Sequence, residues 1–168
     1  GWEVAGHAFT FAAHNAGFST LSAAQLDDEL SNLRQWLKAN GHKGADLFAY
    51  PLGDDNAAVV QSVGQFFSFA RQIVRVPLQS LTLDQPLRVR SYSVSSSDSL
   101  ATLKAVVDRA KASRTWLIFT FHHIVTGTPS AGTEWAAADF TSLVDYIAGL
   151  GMPVKTVGEV LDVSRVLP

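Results

Sequence analysis

The sequence predicts an α/β fold with mainly parallel strands, arranged as a distorted or incomplete (β/α) barrel. Short apolar runs alternate with amphipathic segments along most of the 168 residues. The run over residues 115–121 is rich in aromatic and branched side chains, which is typical of a parallel strand buried on both faces. A barrel is favoured over an open doubly wound sheet because no Gly-x-Gly-x-x-Gly or Walker motif follows a predicted strand.

The hydrophobic period predicts the elements in chain order. The clearest helix covers residues 21–40, where Ser22 and Gln25 form a capping box and Gly41 stands just past the end. Further helices are predicted at residues 56–63, at 100–110 after the Ser95–Asp98 run, at 140–147 and at 158–163. The predicted strands are residues 2–9, 47–50, 66–73, 87–94, 115–121 and 154–157.

The composition fits one compact domain with a core. Hydrophobic residues make up 47% of the chain and charged residues 17%, which excludes a disordered chain. A net charge of -2 argues against nucleic-acid binding through a basic surface. No apolar run reaches the ~20 residues of a membrane-spanning helix. The absence of cysteine excludes a disulfide scaffold and a thiolate metal site. We therefore predict no nucleic-acid partner and no membrane span.

Four of the five histidines fall at predicted strand ends, where (β/α) barrels carry their functional residues. Neutral imidazoles bind zinc and similar ions, so His7 and His14 are candidate metal ligands. The gap of six residues between them is too long for one helical face, although a loop could bring both rings to one ion. The alternative, which the spacing alone favours, is two loop histidines bonded to backbone or water.

His122 and His123 close the predicted strand at residues 115–121. By period-two alternation one of them points into the barrel mouth and the other points behind it. A histidine at this position suits a general acid, because its pKa lies near neutral pH. The alternative is that both are structural histidines.

Tyr50, Pro51, Leu52 and Gly53 predict a sharp turn directly after a strand. Such a turn can present a backbone N–H to a developing oxyanion. A plain tight loop explains these residues equally well. Asp54 and Asp55, which follow, could simply cap the next helix.

Taken in order, these clusters resemble the polysaccharide deacetylases of the NodB-homology type, carbohydrate esterase family four. Residues 1–6 resemble the strand "G-x-E-(I/V)-(A/G)-x-H", which makes His7 the first metal histidine. The family's second histidine usually comes four residues later, where this chain has Phe11. We assign the role of second metal histidine to His14 and assume a short insertion between His7 and His14. The reason is that His14 precedes the pattern "L-S-x-x-x-L-x-x-E-L" that begins at Leu21, as the family's second histidine does.

The resemblance continues over nearly the whole chain. Residues 48–53 resemble "F-(R/A)-x-P-x-G", with Ala49 where many members have an orienting arginine. Residues 116–124 resemble "W-x-I-x-L-F-H-x-(I/V)", which maps the family's leaving-group histidine onto His122. Residues 140–161 resemble the family's last helix and strand. The opening Thr-Phe-Asp-Asp-Gly segment, which carries a base and a metal-ligating aspartate, has no counterpart here, and Asp98 is a weak match to a later aspartate.

The resemblance implies metal-dependent hydrolysis of N-acetyl or O-acetyl groups on a polysaccharide or oligosaccharide, with metal-activated water as the nucleophile. It implies a divalent ion, preferably zinc, an aspartate as base, and an extracellular or cell-envelope location. The site residues that it implies are His7 and His14 for the metal, Leu52, Tyr50 and Pro51 for the oxyanion and substrate, and His122 for the leaving group. Tyr50 could stack on a sugar ring, although a core position is its more common role.

Residues 1–168 are expected to form a single deacetylase-like domain without its first β/α unit, which the same precursor or another chain could supply.

Two other hypotheses remain open. Phe11 and Ala49 depart from the family pattern and favour a non-catalytic, carbohydrate-binding or structural remnant of such a barrel. An unrelated metal-dependent hydrolase would take a third ligand from another strand. A metal ion bound by both histidines separates the enzyme from the remnant.

Overall fold

A computed structural model describes residues 2–74 and 76–166, with the side chains of 163–166 outside the description. Gly1, which begins the segment that resembles the family's strand, lies outside the described residues. The chain separates into two compact units. The first comprises Gly1–Gln72, Thr82–Val89 and Lys155–Pro168, and the second comprises Ile73–Leu81 and Arg90–Val154. A single deacetylase-like domain over residues 1–168 stays a prediction.

Helices and strands are interspersed along the described chain, and single 3-10 turns occur at Phe18–Thr20, Pro51–Gly53 and Pro86–Arg88. The elements are β1 (Ala5–Gly6), α1 (Phe11–Ala16), α2 (Ala23–Ala39), β2 (Gly44–Ala49), α3 (Ala57–Phe66), β3 (Phe69–Ile73), β4 (Val89–Ser93), α4 (Leu100–Ser113), β5 (Phe119–Thr120), β6 (His123–Val125), β7 (Glu134–Ala136), α5 (Ala137–Gly149) and α6 (Val157–Val166).

In the first unit, β1 pairs with β2 and β2 pairs with β3, both in parallel. The register places Gly6 beside Phe48 and Phe48 beside Ala70. Phe48 and Ala70 belong to one buried cluster with apolar side chains of α2 and α3. Gly6 lies on the same face, since a Cβ there would meet Leu33, Phe67 and Phe48 at 3.1–3.2 Å. The residue that follows Phe48 in β2 and the residue that follows Ala70 in β3 therefore point to the opposite face of the sheet.

The predicted helix at residues 21–40 is confirmed as α2, and so are its signals. Ser22 Oγ accepts from the Gln25 N–H at 3.3 Å, and Gln25 Oε1 accepts from the Ser22 N–H at 2.9 Å. Gly41 has a φ of +70°, as a residue just past a helix end requires. The helix buries one apolar face, which carries Leu26, Leu30, Leu33 and Leu37.

In the second unit, β4 pairs with β5 and β6 pairs with β7, again in parallel. Its core joins the buried faces of α4 and α5 to aromatic side chains from the strands. Trp135 on β7 is 3% exposed and packs against Phe121, with ring centroids 5.5 Å apart. Phe121 also meets Phe140 of α5 edge to face at 5.1 Å. These contacts hold β7 and α5 to the segment that follows β5.

Several strand predictions need correction. The strand at residues 2–9 is only Ala5–Gly6, and the strand at 115–121 is only Phe119–Thr120, with mostly half-buried side chains. The short strands β6 and β7 were not predicted. The strand at 154–157 is wrong, because Thr156 and Glu159 exchange hydrogen bonds that begin α6. The Thr156 N–H donates to Glu159 Oε2 at 2.8 Å, and the Glu159 N–H donates to Thr156 Oγ1 at 3.3 Å.

The α/β class and the mainly parallel pairing of strands are confirmed by the pairs in both units. Helices follow the strands in the way that a partial (β/α) barrel requires. Across residues 2–74 and 76–166, none of the helices has both the length and the hydropathy of a bilayer-crossing segment.

Candidate active site

His7 follows β1 at the carboxyl end of the strands, and the neighbouring strand holds its ring. Its Nδ1 lies 2.7 Å from the carbonyl oxygen of Ala49, the last residue of β2. A carbonyl oxygen only accepts, so Nδ1 carries the proton and Nε2 of the neutral ring carries the lone pair. Metal-binding histidines are commonly oriented this way, through a backbone carbonyl on the ring nitrogen that does not bind the ion.

His14 lies in the last turn of α1, which brings it back beside His7. Thr10 caps the start of this helix, since its Oγ1 accepts from the Ala13 N–H at 3.1 Å. The rings of His7 and His14 have centroids 5.0 Å apart and planes inclined by 70°. His14 Nδ1 lies 3.1 Å from the side-chain amide of Asn15. The two histidine rings are therefore direct neighbours.

The spacing favoured two loop histidines bonded to backbone or water, and the bond from His7 to the Ala49 carbonyl is of that kind, but the close approach of the two rings was not indicated. Two imidazole nitrogens are good zinc ligands, but a catalytic zinc site usually has three protein ligands and a water. Within the described ranges, no group of three or more His, Asp or Glu side chains is arranged to hold a metal ion. The pair thus offers two of the ligands that such a site needs, and metal binding stays a prediction.

Glu29 of α2 fixes the loop between the two histidines, and the sequence analysis did not identify it. Its carboxylate is 8% exposed and accepts from the backbone N–H of Phe9 at 2.9 Å and of Thr10 at 3.0 Å. It also accepts from the Thr10 hydroxyl. These bonds hold the cap of α1 in place and so position His14. The available signal was a carboxylate three residues after Leu26, on the apolar face of α2.

The turn at residues 50–53 follows β2 and brings an exposed, strained residue beside α1. Leu52 has a φ of +57°, in the left-handed region that few residues other than glycine adopt, and its side chain is 64% exposed. The Gly53 N–H donates to the Tyr50 carbonyl at 3.1 Å, and the Asp54 N–H donates to the Pro51 carbonyl at 3.0 Å. Neither bond uses the Leu52 N–H. Strained turns of this kind occur often at functional sites.

Tyr50 and Pro51, in contrast, are core residues. Tyr50 is 1% exposed, and Pro51 is also fully buried. The Tyr50 hydroxyl donates to the Leu87 carbonyl at 2.8 Å, and its ring packs edge to face on Phe48. Tyr50 therefore presents no ring face for a sugar in this structure. Tyr50 and Pro51 anchor the turn in the core, and Leu52 is its exposed residue.

We expect Tyr50→Phe to lower the free energy of unfolding by about 1–2 kcal/mol, because the buried Leu87 carbonyl would lose its donor. Burial, with a smaller contribution from Asp55, holds the pKa of Tyr50 well above its ordinary value. A raised pKa in the folded state means that stability is full below the unfolded pKa of about 10 and falls as pH rises beyond it. Urea unfolding between neutral and alkaline pH should show this fall, reduced in the variant. An equal fall of unfolding free energy with pH in the wild type and in Tyr50→Phe would show that Tyr50 is not the group responsible.

Asp54 and Asp55 do not cap α3, whose cap is Asn56, with its side chain accepting from the Val59 N–H at 2.9 Å. Asp54 Oδ2 instead accepts from the Ser19 N–H at 2.6 Å and so ties the turn to the segment after α1. Asp55 pairs with Arg88 at 3.1 Å. Both carboxylates thus have structural partners next to the candidate site.

Gly17, at the end of α1, allows this close approach. Its φ is +83°, and a Cβ there would lie 3.0 Å from Asp54 Oδ2. We expect Gly17→Ala to cost about 2–3 kcal/mol of unfolding free energy from strain and crowding together. Gly41→Ala is the matched control, since Gly41 has a φ of +70° with nothing within 4 Å, and should cost about 1 kcal/mol. Urea unfolding measures both, and equal losses would show that the approach to Asp54 does not matter.

Arg71 of β3 is a second residue that the sequence analysis missed. It lies in register beside Ala49, whose carbonyl holds His7. Its Nη1 is buried and has no hydrogen-bond partner among the described residues, and burial lowers the pKa of the guanidinium. The signal in the sequence was a cation within a strand that is otherwise uncharged.

His122 and His123 belong to the second unit, where both are exposed. His123 begins β6 and lies in register beside Glu134 of β7. Glu134 is itself engaged by the loop before it, because backbone N–H groups of Ser130 and Ala131 hold its pKa below the ordinary value. His122 precedes β6 at the bend after β5, and its role as general acid stays a prediction.

Asp98, the weak match to a family aspartate, has a structural position. Its carboxylate accepts from the Tyr92 hydroxyl at 2.7 Å and from the Ser95 N–H at 2.8 Å. Its carbonyl accepts from the Trp135 indole at 2.9 Å. These bonds order the segment that leads into α4.

Comparisons of the chain with protein-family models, with curated proteins and with solved structures found no match. The case for a function therefore rests on the motif resemblance and on the geometry around His7 and His14.

Proposed function

We propose that this chain is a metal-dependent deacetylase domain that hydrolyses N-acetyl or O-acetyl groups on an extracellular or cell-envelope polysaccharide. The observation that carries the proposal is the His7–His14 pair, with ring centroids 5.0 Å apart at the end of β1. A purely structural role would not require an exposed and a half-buried imidazole to lie side by side at a strand end. The ordered motifs that resemble carbohydrate esterase family four supply the substrate class.

The residues that would hold the ion are His7 and His14, through Nε2 of each ring. Their donor set suits zinc, and the Ala49 carbonyl gives His7 the outer-shell partner that orients a ligand. A further ligand is needed beyond the groups described. When bound, a divalent ion lowers the pKa of a coordinated water and so supplies a nucleophile at neutral pH.

The chain's own residues would do the remaining work. Leu52 would donate its N–H to the oxygen of the acetyl carbonyl as negative charge develops there, and the buried Tyr50 and Pro51 would keep the turn in place. In the overall hydrolysis a hydroxyl from water joins the acetyl carbon, the C–N bond of an N-acetyl group or the C–O bond of an O-acetyl group breaks, and acetate is released with the sugar amine or alcohol. On the resemblance, His122 would give its proton to the departing amine nitrogen.

Acetate release from acetylated chito-oligosaccharides tests this proposal. We expect release by the zinc-loaded protein, loss on treatment with a chelator, and recovery when zinc is restored. His14→Gln should abolish release, whereas His42→Gln, a histidine beyond the end of α2, should leave it unchanged. Absence of chelator-sensitive release would reject the enzymatic proposal.

A non-catalytic carbohydrate-binding remnant is the second candidate, and two observations favour it. The described residues provide no third ligand beside the histidine pair. Phe11 is 81% exposed, with its ring parallel to that of His14, which gives a sugar an apolar ring to stack on. This candidate predicts binding of chito-oligosaccharides without acetate release and without bound metal.

A further inference from the structure

Ala49 and Arg71 lie in register at the ends of β2 and β3, and His7, which follows β1, bonds through its ring to the Ala49 carbonyl. The residues before them, Gly6, Phe48 and Ala70, form a row that packs against helices α2 and α3. Because side chains alternate along a strand, Ala49 and Arg71 face away from those helices. The hydrogen bond from His7 to the Ala49 carbonyl and the pairing of Ala49 with Arg71 fix the order of these three residues.

Ala49, the middle one of the three residues, is the smallest. Adjacent strands lie about 4.8 Å apart, so β1 and β3 are separated by roughly 10 Å across β2. Ala49 contributes only a methyl group beside the longer side chain of Arg71. A small polar group bound there would touch Arg71 on one side and the histidine pair on the other.

Arg71 differs from Arg34 and Arg88 in having no carboxylate partner among the described residues, although Nε of Arg34 is also buried without a hydrogen bond. Arg34 pairs with Asp46 at 2.6 Å, and Arg88 pairs with Asp55 at 3.1 Å. Nη1 of Arg71 is buried without a partner in the described part of the chain. A guanidinium stays charged at all ordinary pH values, and a buried charged donor is unfavourable unless an acceptor meets it. Its planar fork matches a carboxylate, which can accept two parallel hydrogen bonds.

We propose that Arg71 is a binding residue for a carboxylate that sits above Ala49, beside His7. Two sources would present this group. One is acetate, the product of deacetylation, and this arm rests on the proposed function. The other is the carboxylate of a uronic acid residue in an acidic glycan, which needs no reaction at the histidines.

Calorimetric titration of the metal-free protein tests the proposal. Sodium acetate and sodium glucuronate are titrated separately at constant ionic strength, with chloride as the reference salt. We expect the wild type to bind at least one of them and Arg71→Gln to bind it at least tenfold more weakly. Arg71→Lys, which keeps the charge without the fork, should fall between them. Arg34→Gln, which removes an equal charge from the same unit, should bind like the wild type.

Each outcome decides the proposal. Binding of acetate alone identifies the product, and a clear preference for glucuronate identifies the uronate. A wild type that binds neither, or an Arg71→Gln variant that binds as well as the wild type, overturns it. If Arg71→Gln fails to fold, the NMR signal of the Arg71 Nε–H in the wild type must shift on titration, and an unmoved signal overturns the proposal. Loss of acetate release with carboxylate binding intact would reject the deacetylase and not this site.

Discussion

His7→Gln is expected to abolish tight binding of zinc. Loss of an outer-shell partner of a metal ligand lowers affinity by about 10- to 100-fold, and loss of a ligand should exceed that. Glutamine cannot supply the imidazole lone pair, although its amide can still donate to the Ala49 carbonyl that holds His7 at 2.7 Å. The variant should therefore keep its fold while it loses the ion, which separates ligation from stability.

Competition with a chromophoric zinc chelator measures this affinity. His14→Gln should produce a loss of the same order, because both rings are proposed to bind one ion. His42→Gln removes a histidine outside the pair and serves as the control. If His7→Gln and His14→Gln bind zinc as tightly as the control, the pair is not a metal site.

Glu29→Ala is expected to lower the free energy of unfolding by about 3 kcal/mol or more. The carboxylate accepts from the N–H groups of Phe9 and Thr10 at 2.9 and 3.0 Å, and also from the Thr10 hydroxyl. Removal breaks three partly buried hydrogen bonds to a charged acceptor, and each bond of this kind contributes about 1.5–3 kcal/mol. The loop that they belong to also carries the cap of α1, so zinc affinity should fall together with stability.

Urea unfolding of Glu29→Ala beside Asp28→Ala provides a matched comparison. Asp28 is the adjacent residue of α2 and is exposed, so its replacement should change stability by less than about 0.5 kcal/mol. Glu29→Gln keeps one acceptor oxygen and should show an intermediate loss. Equal stability of Glu29→Ala and Asp28→Ala would mean that the three hydrogen bonds do not hold the loop.

Elements with local signals could be predicted from the sequence. The capping box at Ser22 and the regular leucines specify α2 within a few residues, because helical hydrogen bonds and caps are local. The same kind of signal exists at Thr156 and Glu159, where a Thr-x-x-Glu box begins α6. It was missed because apolar residues around Val154 suggested a strand, whereas Val154 is in fact 80% exposed.

The short strands could not be predicted, since their pairing depends on contacts far along the chain. β6 and β7 have three residues each, and Trp135 of β7 is buried through contact with Phe121. An apolar run of that length carries no decisive period. The strand predicted at residues 115–121 was too long, since only Phe119–Thr120 form a strand. Its apolar side chains pack against the aromatic core of the second unit, which explains why the run is apolar without being a long strand.

The candidate site was predictable in its residue types and not in its geometry. His7 and His14 stand out as histidines after a strand, but their separation indicated no contact. The contact arises because Thr10 and Glu29 start a helix directly after β1. Arg71 was invisible for a related reason, since the parallel register that places it beside Ala49 is a property of the folded sheet.

Anomalous scattering from a zinc-soaked crystal of this chain, recorded on both sides of the zinc absorption edge, shows whether His7 and His14 bind one ion. We expect one anomalous peak at about 2.0–2.1 Å from Nε2 of both His7 and His14. The same crystal would show which further group completes the coordination. A crystal without a peak at this pair, or with zinc bound elsewhere and the two imidazoles uncoordinated, would mean that the pair is not a metal site.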